Sequence, residues 1–249
     1  LVEQTIEYRV YQSYVSSIAN FFLRKLLSID VAKIKKWETY YWRVADKVIA
    51  MSEKDKEVMK TEILSRDIDV VPNGVDTESF FNIQKNKKQQ KTVLFIGNFK
   101  WIQNKEAIIY LRDKIWPLIQ EKMPDAKLWI VGRNPSREVL AMERDNIKVE
   151  SVDDIKYAFA NSSVLLAPML SGGGTRYKIL EAMASGMPVV STTLGVEGLD
   201  VEDGKHVFLG ETPEDLANLT LDILNNPRIA EDAIVNAKRK ISEEYNWQK

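Results

Sequence analysis

The stretch Val164-Leu-Leu-Ala-Pro168, followed by Ser171-Gly-Gly-Gly-Thr-Arg-Tyr-Lys-Ile-Leu-Glu-Ala-Met-Ala-Ser-Gly-Met-Pro-Val-Val190, decides the fold. An apolar run precedes the glycines. A helical pattern follows them and stops at Ser185-Gly186, with Pro188 just beyond. The order is strand, glycine loop, helix, glycine cap, next strand. The charges are placed against ordinary preference. Arg176 and Lys178 fall in the first turn of the helix, where the macrodipole is already positive and cations are disfavoured. Two cations beside free N–H groups and a glycine loop call for an anion, and a diphosphate is the one expected.

Outward from this segment the chain alternates strand and helix. Thr92-Val-Leu-Phe-Ile-Gly97 reads as a buried strand, with a helix from about Asn104 to Glu121. Lys127-Leu-Trp-Ile-Val-Gly132 is the next strand, with a short helix near Ser136–Arg144. Ile147-Lys-Val-Glu150 and a helix from Asp153 to Ala160 follow. Beyond the glycine segment come Pro188-Val-Val-Ser-Thr192 and His206-Val-Phe-Leu209, then Thr212-Pro-Glu-Asp-Leu216, where Thr caps a helix and Pro takes its first position. Apolar strands separated by helices imply an α/β fold, a doubly wound parallel sheet covered on both faces. Ligands in such sheets bind at the carboxyl ends of the strands, where the glycine loop, Gly97 and the Gly132-Arg133 turn all fall.

The first ninety residues differ. Leu1–Lys47 reads as mostly helical, Lys47-Val-Ile-Ala-Met51 and Ile68-Asp-Val-Val71 as strands, and Ser52 as the cap of a helix with Asp55 at N3. Asn73-Gly74 marks a turn, and Lys85–Lys91 looks like a solvated linker. Two strands and three helices are too few for an independent α/β domain. The expectation is therefore a partial second α/β domain over 1–76, a linker over 77–91 and the doubly wound domain over 92–227. A terminal amphipathic helix over 228–249 is expected to pack back toward the first part. A start at Leu1 rather than Met suggests that residues precede it.

Composition narrows the function. The chain has 249 residues and a net charge of −1, without the global basic field of a nucleic-acid binder. There is no cysteine, which excludes disulfides, thiolate metal sites and cysteine nucleophiles and suits a reducing cytoplasm. A single histidine, His206, rules out a histidine metal cage and reads as structural. No apolar run approaches the length that spans a bilayer. Asp67-Ile68-Asp69 spells a metal-binding triplet, but it abuts Val70-Val71-Pro72 with no site around it. Residues 14–37 are basic and amphipathic: a core-facing helix pair is the main reading, peripheral membrane contact the minority one.

Lys178, Glu181 and Ser185 share one stripe of the glycine-segment helix, with Ile179, Ala182, Met183 and Gly186 opposite. The plain alternative is a surface Lys–Glu pair worth a few tenths of a kcal/mol. A nucleotide diphosphate divides the labour more sharply: Arg176 and Lys178 meet the phosphates, and Glu181 accepts from ribose hydroxyls. Gly97 either contributes to phosphate binding or simply turns the chain. Arg133 either reaches a ligand or is solvated.

These residues resemble a known family. The chain is similar to the C-terminal half of a retaining glycosyltransferase of family 4 (group 1), with the GT-B fold and its Rossmann-like donor domain. The resemblance runs over about residues 70–225, through Val71-Pro-Asn-Gly-Val-Asp76 with Phe80, Phe95-Ile-Gly-Asn98 with Trp101 and Asn104, and Ile115-Trp-Pro117. It continues in Leu128-Trp-Ile-Val-Gly-Arg133, Ala167-Pro168, the Gly172–Pro188 block and Thr212-Pro-Glu-Asp-Leu-Ala217. It implies transfer of a sugar from a nucleotide-diphosphate donor to a hydroxyl acceptor, a glycan or lipid-linked saccharide, with retention and without a metal or other cofactor. Arg176 and Lys178 would be catalytic, stabilising the leaving diphosphate while a departing phosphate oxygen takes the acceptor's proton. Gly97, Asn98, Arg133, Gly172, Gly173, Gly174, Thr175 and Glu181 would bind the donor. Nucleic acid is not an implied partner. The location would be cytoplasmic, with contact at the inner face of the plasma membrane.

Two departures stand out. Where the usual pattern has a Glu eight residues before Glu181, this chain has Gly173, as in a Gly-Gly-Gly-Thr-Arg-x-Lys sub-branch. The usual Arg and Lys after the first strand are replaced by Asn98 and Gln103, which throws phosphate binding onto Arg176 and Lys178. Gln4-Thr-Ile-Glu-Tyr8 resembles a segment that commonly begins His-Asn, which would set Gln4 facing the donor sugar. The rival readings are a UDP-sugar 2-epimerase and a non-catalytic nucleotide-sugar binding subunit.

Overall fold

The computed structural model describes residues 1–64, 66–86 and 91–248, with residue 17 by its backbone alone. They form two compact units. One comprises Leu1–Asn73, Ser171–Thr175 and Glu197–Asp200; the other comprises Gly74–Leu170, Arg176–Val196 and Val201–Lys249.

The first unit runs β1 (Val2–Glu3), α1 (Glu7–Ser17), α2 (Phe21–Val44), β2 (Val48–Ala50), α3 (Glu53–Glu62) and β3 (Ile68–Val70), with the strands parallel in that order. The strand β1 is not legible in the sequence, because two residues carry no periodicity; it is fixed by pairing Val2 with Ile49 and Glu3 with Ala50. The core gathers Ile6, Tyr8, Trp42, Val48, Ala50, Met59, Ile63 and Ile68. The capping predicted for α3 is present, with Asp55 N donating to Ser52 Oγ at 3.0 Å. By contrast α1 has the apolar Ile6 at its cap position and borrows a capping group from α2. The Glu38 carboxylate accepts from Glu7 N at 2.7 Å and Tyr8 N at 2.9 Å. The core-facing reading of residues 14–37 holds in part. Val15 is buried, Ile34 packs on the core and α1 packs on α2, whereas Phe21, Phe22, Leu26, Ile29 and Trp37 stand exposed.

The second unit runs α4 (Thr77–Phe81), β4 (Thr92–Asn98), α5 (Ile102–Tyr110), α6 (Trp116–Lys122), β5 (Lys127–Arg133), α7 (Arg137–Leu140), β6 (Ile147–Glu150) and α8 (Ile155–Ala160). It continues with β7 (Val164–Ala167), α9 (Tyr177–Ala184), β8 (Val189–Ser191), β9 (Phe208–Leu209), α10 (Pro213–Asn225) and α11 (Glu231–Glu244). Six parallel strands lie in the order β6-β5-β4-β7-β8-β9. The chain winds outward one way from β4 and the other way from β7, so the order reverses between those two strands. The strand β4 pairs with β5 over all its seven residues but with β7 only at Val93 and Leu94. A crevice therefore opens at the carboxyl ends of β4 and β7, where doubly wound sheets hold their ligands.

The helix expected from Asn104 to Glu121 is interrupted by a π-turn over Leu111–Ile115, with Trp116 N donating to Leu111 O. Pro117 explains the wider turn, since it has no N–H to continue the ordinary ladder. Thr212 and Asp215 form the reciprocal cap of α10, with Pro213 at its start. The terminal helix α11 packs against α9 and α4 within the second unit, and just past it Tyr245 O accepts from Val75 N at 2.7 Å. The expected linker over 77–91 begins as the helix α4, and 87–90 lie outside the described residues. Lys85, read as a solvated linker residue, instead donates through Nζ to Phe159 O at 2.9 Å.

Candidate functional site

Within the second unit the site assembles around α9. Arg176 is its half-buried cap residue, with φ −88° and ψ 82°, and Lys178 stands in its first turn. The helix ends as predicted: Gly186 has φ 70°, and Gly186 N and Met187 N donate to Met183 O at 3.1 Å and Ala182 O at 2.9 Å. Ile179, Leu180, Ala182, Met183 and Ala184 are buried. That apolar face fixes the helix's rotation.

Lys178 does not make the surface pair with Glu181. Its side chain runs inward, where Nζ donates to Asn104 Oδ1 at 2.7 Å, lies 3.9 Å from Met169 Sδ and sits 4.9 Å from the centre of the Phe95 ring. Burial, reinforced by the charge of Arg176, pushes this amine down to about 7. Near neutrality it is thus poised between ammonium and amine. Glu181, one turn along, has no hydrogen bond or ion pair to its carboxyl group among the described residues, and burial raises it to about 7. An underpartnered carboxylate and an amine held by one neutral amide are costly to keep in a folded protein. Such groups mark candidate sites of ligand or catalytic chemistry.

At the end of β4, Gly97 is required by a close approach. A Cβ there would stand 3.0 Å from the Cβ and Cγ of Asn104. The Asn98 side chain is a turn former: its Oδ1 accepts from Lys100 N and from Asn134 Nδ2, each at 3.1 Å. Arg133 ends β5 exposed, its backbone carbonyl accepting from Phe99 N at 2.9 Å. Gln103, which stands where the family pattern has Lys, has a buried side-chain carbonyl without a partner among the described residues.

The glycine segment is counted with the first unit. Gly172 and Gly174 have φ 102° and 77°, and a Cβ on Gly174 would lie 2.5 Å from Thr5 Oγ1 and 3.3 Å from Gln4 O. The Gly174 backbone thus packs on the turn that follows β1, which brings Gln4 beside the glycine loop, while a Cβ on Gly173 would lie 3.4 Å from Val10 Cγ2. Thr175, half-buried, leads into Arg176. His206 is structural: its Nδ1 accepts from Glu202 N at 3.1 Å. Asp69 of the acidic triplet is engaged with Lys47 at 2.6 Å.

Asn104 has no role in the sequence pattern read above, yet it shares the inward face of one helical stretch with Ala107, Ile108 and Leu111. A polar residue on that stripe needs a polar partner, and it has two.

A parallel sheet whose order reverses between β4 and β7 defines a doubly wound α/β protein. The model of the family "Glycosyl transferases group 1" matches residues 90–226, more than half of the chain. The chain belongs to that family. It is 27% identical over 197 residues to the phosphatidyl-myo-inositol mannosyltransferase of Mycobacterium leprae, covering 75% of this chain and 52% of that protein. It is 25% identical over 189 residues to a 44.6 kDa protein encoded in the cps region of Klebsiella pneumoniae, covering 72% and 49% respectively. The chain thus spans about half the length of the curated relatives it matches. Among solved structures, sucrose-phosphate synthase from Thermosynechococcus elongatus aligns with a TM-score of 0.71 at 18% identity, covering 96% of this chain and 63% of that one. HepE from Anabaena, solved in complex with UDP-glucose, gives 0.67 at 15% identity, covering 96% and 67%. These likenesses establish the shared α/β fold. Among the described residues no helix is long and apolar enough to cross a membrane.

Proposed function

We propose that the protein transfers a sugar from a nucleotide-diphosphate donor to a hydroxyl acceptor, with retention of configuration and without a metal or other cofactor, as a family 4 enzyme. The observation that carries this reading is the meeting of Lys178, from the helix after β7, with Asn104, from the helix after β4, at the point where the strand order reverses. A diphosphate held there meets the Arg176 guanidinium and the Lys178 ammonium, which supply the countercharge that a metal would otherwise give. As the glycosidic bond breaks, negative charge accumulates on the leaving phosphate oxygens, and the two cations stabilise it more strongly than in the ground state. The acceptor hydroxyl attacks the same face of the sugar and passes its proton to a leaving phosphate oxygen. Glu181 accepts from the ribose hydroxyls. Gly172, Gly173, Gly174 and Thr175, directly before Arg176 in the chain, lend backbone N–H groups. Gly97 lets the backbone approach the donor.

The acceptor is a glycan or lipid-linked saccharide. The exposed Phe21, Phe22 and Leu26 of α2, interleaved with Arg24 and Lys25, supply an apolar and basic face suited to an anionic membrane surface. The donor and acceptor classes are supported by a relative that is a phosphatidyl-myo-inositol mannosyltransferase and by a structural neighbour solved with UDP-glucose.

A thermal-shift panel of UDP-, GDP-, ADP- and dTDP-sugars tests the donor site, because a ligand of the native state raises its melting point. One donor is expected to raise it by a few degrees, and Arg176→Ala and Glu181→Ala are each expected to abolish the shift. An unchanged response in both variants overturns the site. Chromatography of products with and without acceptor separates transfer from isomerisation of the donor.

A further inference from the structure

Asn104 lies where three parts of the second unit meet. Its Nδ2 donates to Asn98 O at 2.9 Å, which closes the turn after β4. Its Oδ1 accepts from Lys178 Nζ at 2.7 Å, which reaches across to the helix after β7. Its Cβ and Cγ fill the space left by Gly97, so it cannot settle elsewhere without opening a gap there. A single amide thereby joins the loop on one side of the crevice to the cation on the other. The groups around the Lys178 amine from β4, from α5 and from the segment after β7 are Phe95, Asn104 and Met169, none of them charged. On its own helix the charged neighbours are Arg176, which lowers its affinity for a proton, and Glu181, which makes no ion pair with it.

We propose that Asn104 is a positioning residue for sugar transfer, holding the Lys178 amine at a fixed point over the end of β4 and tying that point to the turn at Asn98. The proposal rests on the donor-site reading given above, but the Asn104–Lys178 linkage itself can be measured without a donor. A neutral amide suits this task better than a carboxylate. It orients the amine without neutralising it, so the full positive charge stays available to a diphosphate. It also offers a donor to Asn98 O, which a carboxylate does not. Asn104 touches no reacting atom in this scheme and acts through Lys178.

The test uses the whole chain with Asn104→Leu and Asn104→Asp, the second keeping shape and polarity in case the first fails to fold. Competitive acetylation of Lys178 across a pH series, read by peptide mass spectrometry, reports the amine's exposure and titration. Loss of the partner in Asn104→Leu is expected to free the amine and raise its labelling about tenfold, whereas Asn104→Asp is expected to move its titration up by about one pH unit or more. Identical labelling in wild type and both variants overturns the linkage. In the transfer assay, Asn104→Leu is expected to lower kcat by about ten- to a hundredfold with KM little changed, as a misplaced catalytic group does. Joining it to Lys178→Met is expected to add nothing to the loss from Lys178→Met alone. Additive losses, or a KM effect without a kcat effect, overturn the positioning role. An altered labelling pattern in a protein that binds no nucleotide sugar would instead leave the linkage standing and remove the donor-site reading.

Discussion

Both units build a parallel sheet and place charged side chains near the ends of its strands, yet they treat buried charge differently. In the first unit each buried acid has a donor. Glu3 accepts from Trp42 Nε1 at 2.6 Å, Glu38 caps two backbone N–H groups of α1, and Asp55 accepts from Ser52 Oγ at 2.7 Å. Burial still raises all three, Glu3 to about 7, but each bond holds an element of the fold in place. In the second unit Glu181 has no partner among the described residues and Lys178 has one neutral amide. Satisfied buried charge holds a fold together, whereas underpartnered buried charge is tolerated for what it can bind.

The sharpest way to break this contrast is to remove one group from each side. Lys178→Met is expected to cut kcat by about 10²- to 10³-fold, the cost of losing one electrostatic stabiliser of the transition state. Its urea midpoint should stay level or rise, because an apolar side chain replaces a costly amine. If that variant unfolds instead while its folded fraction keeps full activity, Lys178 is structural. Trp42→Phe should do the reverse. It leaves the Glu3 carboxylate without its donor, so stability is expected to drop by about 1–3 kcal/mol by urea titration, with kcat of the folded protein unchanged.

The smallest effect lies in the pH profile. The proposed transfer needs Lys178 protonated, which holds below about 7, and Glu181 ionised, which holds above about 7. The competent fraction therefore peaks near neutrality and declines on both sides, by about two- to fivefold within one pH unit. The two groups lie one turn apart, so the limbs belong to the pair. Lys178→Arg, which stays charged, should flatten the alkaline limb, and Glu181→Gln the acid one. A flat wild-type profile from pH 6 to 8 would remove both groups from the mechanism.

How much of this was legible beforehand follows from where each signal lives. The doubly wound sheet, the glycine cap at Gly186 and the Thr212 cap are local patterns, and local patterns survive into the fold. The charge anomaly at Arg176 and Lys178 was visible for the same reason. The strand β1 was not legible, because two residues become a strand only through partners at 49 and 50. Nor was the inward course of Lys178: a lysine at a helix start reads as solvent-facing until Asn104, 74 residues earlier, supplies an acceptor. The exposed face of α2 misled in the other direction, since amphipathic spacing says which residues share a face and not what covers it.

The uneven pairing of β4 has a practical side for anyone recombining this domain with that of a relative. A crossover near residue 161 parts β4 from β7 and interrupts a ladder of two residue pairs, whereas one near residue 124 parts β4 from both β5 and β7 and interrupts nine. Chimeras joined at the first position should fold far more readily. The amine–amide bond between Lys178 and Asn104 then becomes the contact whose two halves must come from compatible parents.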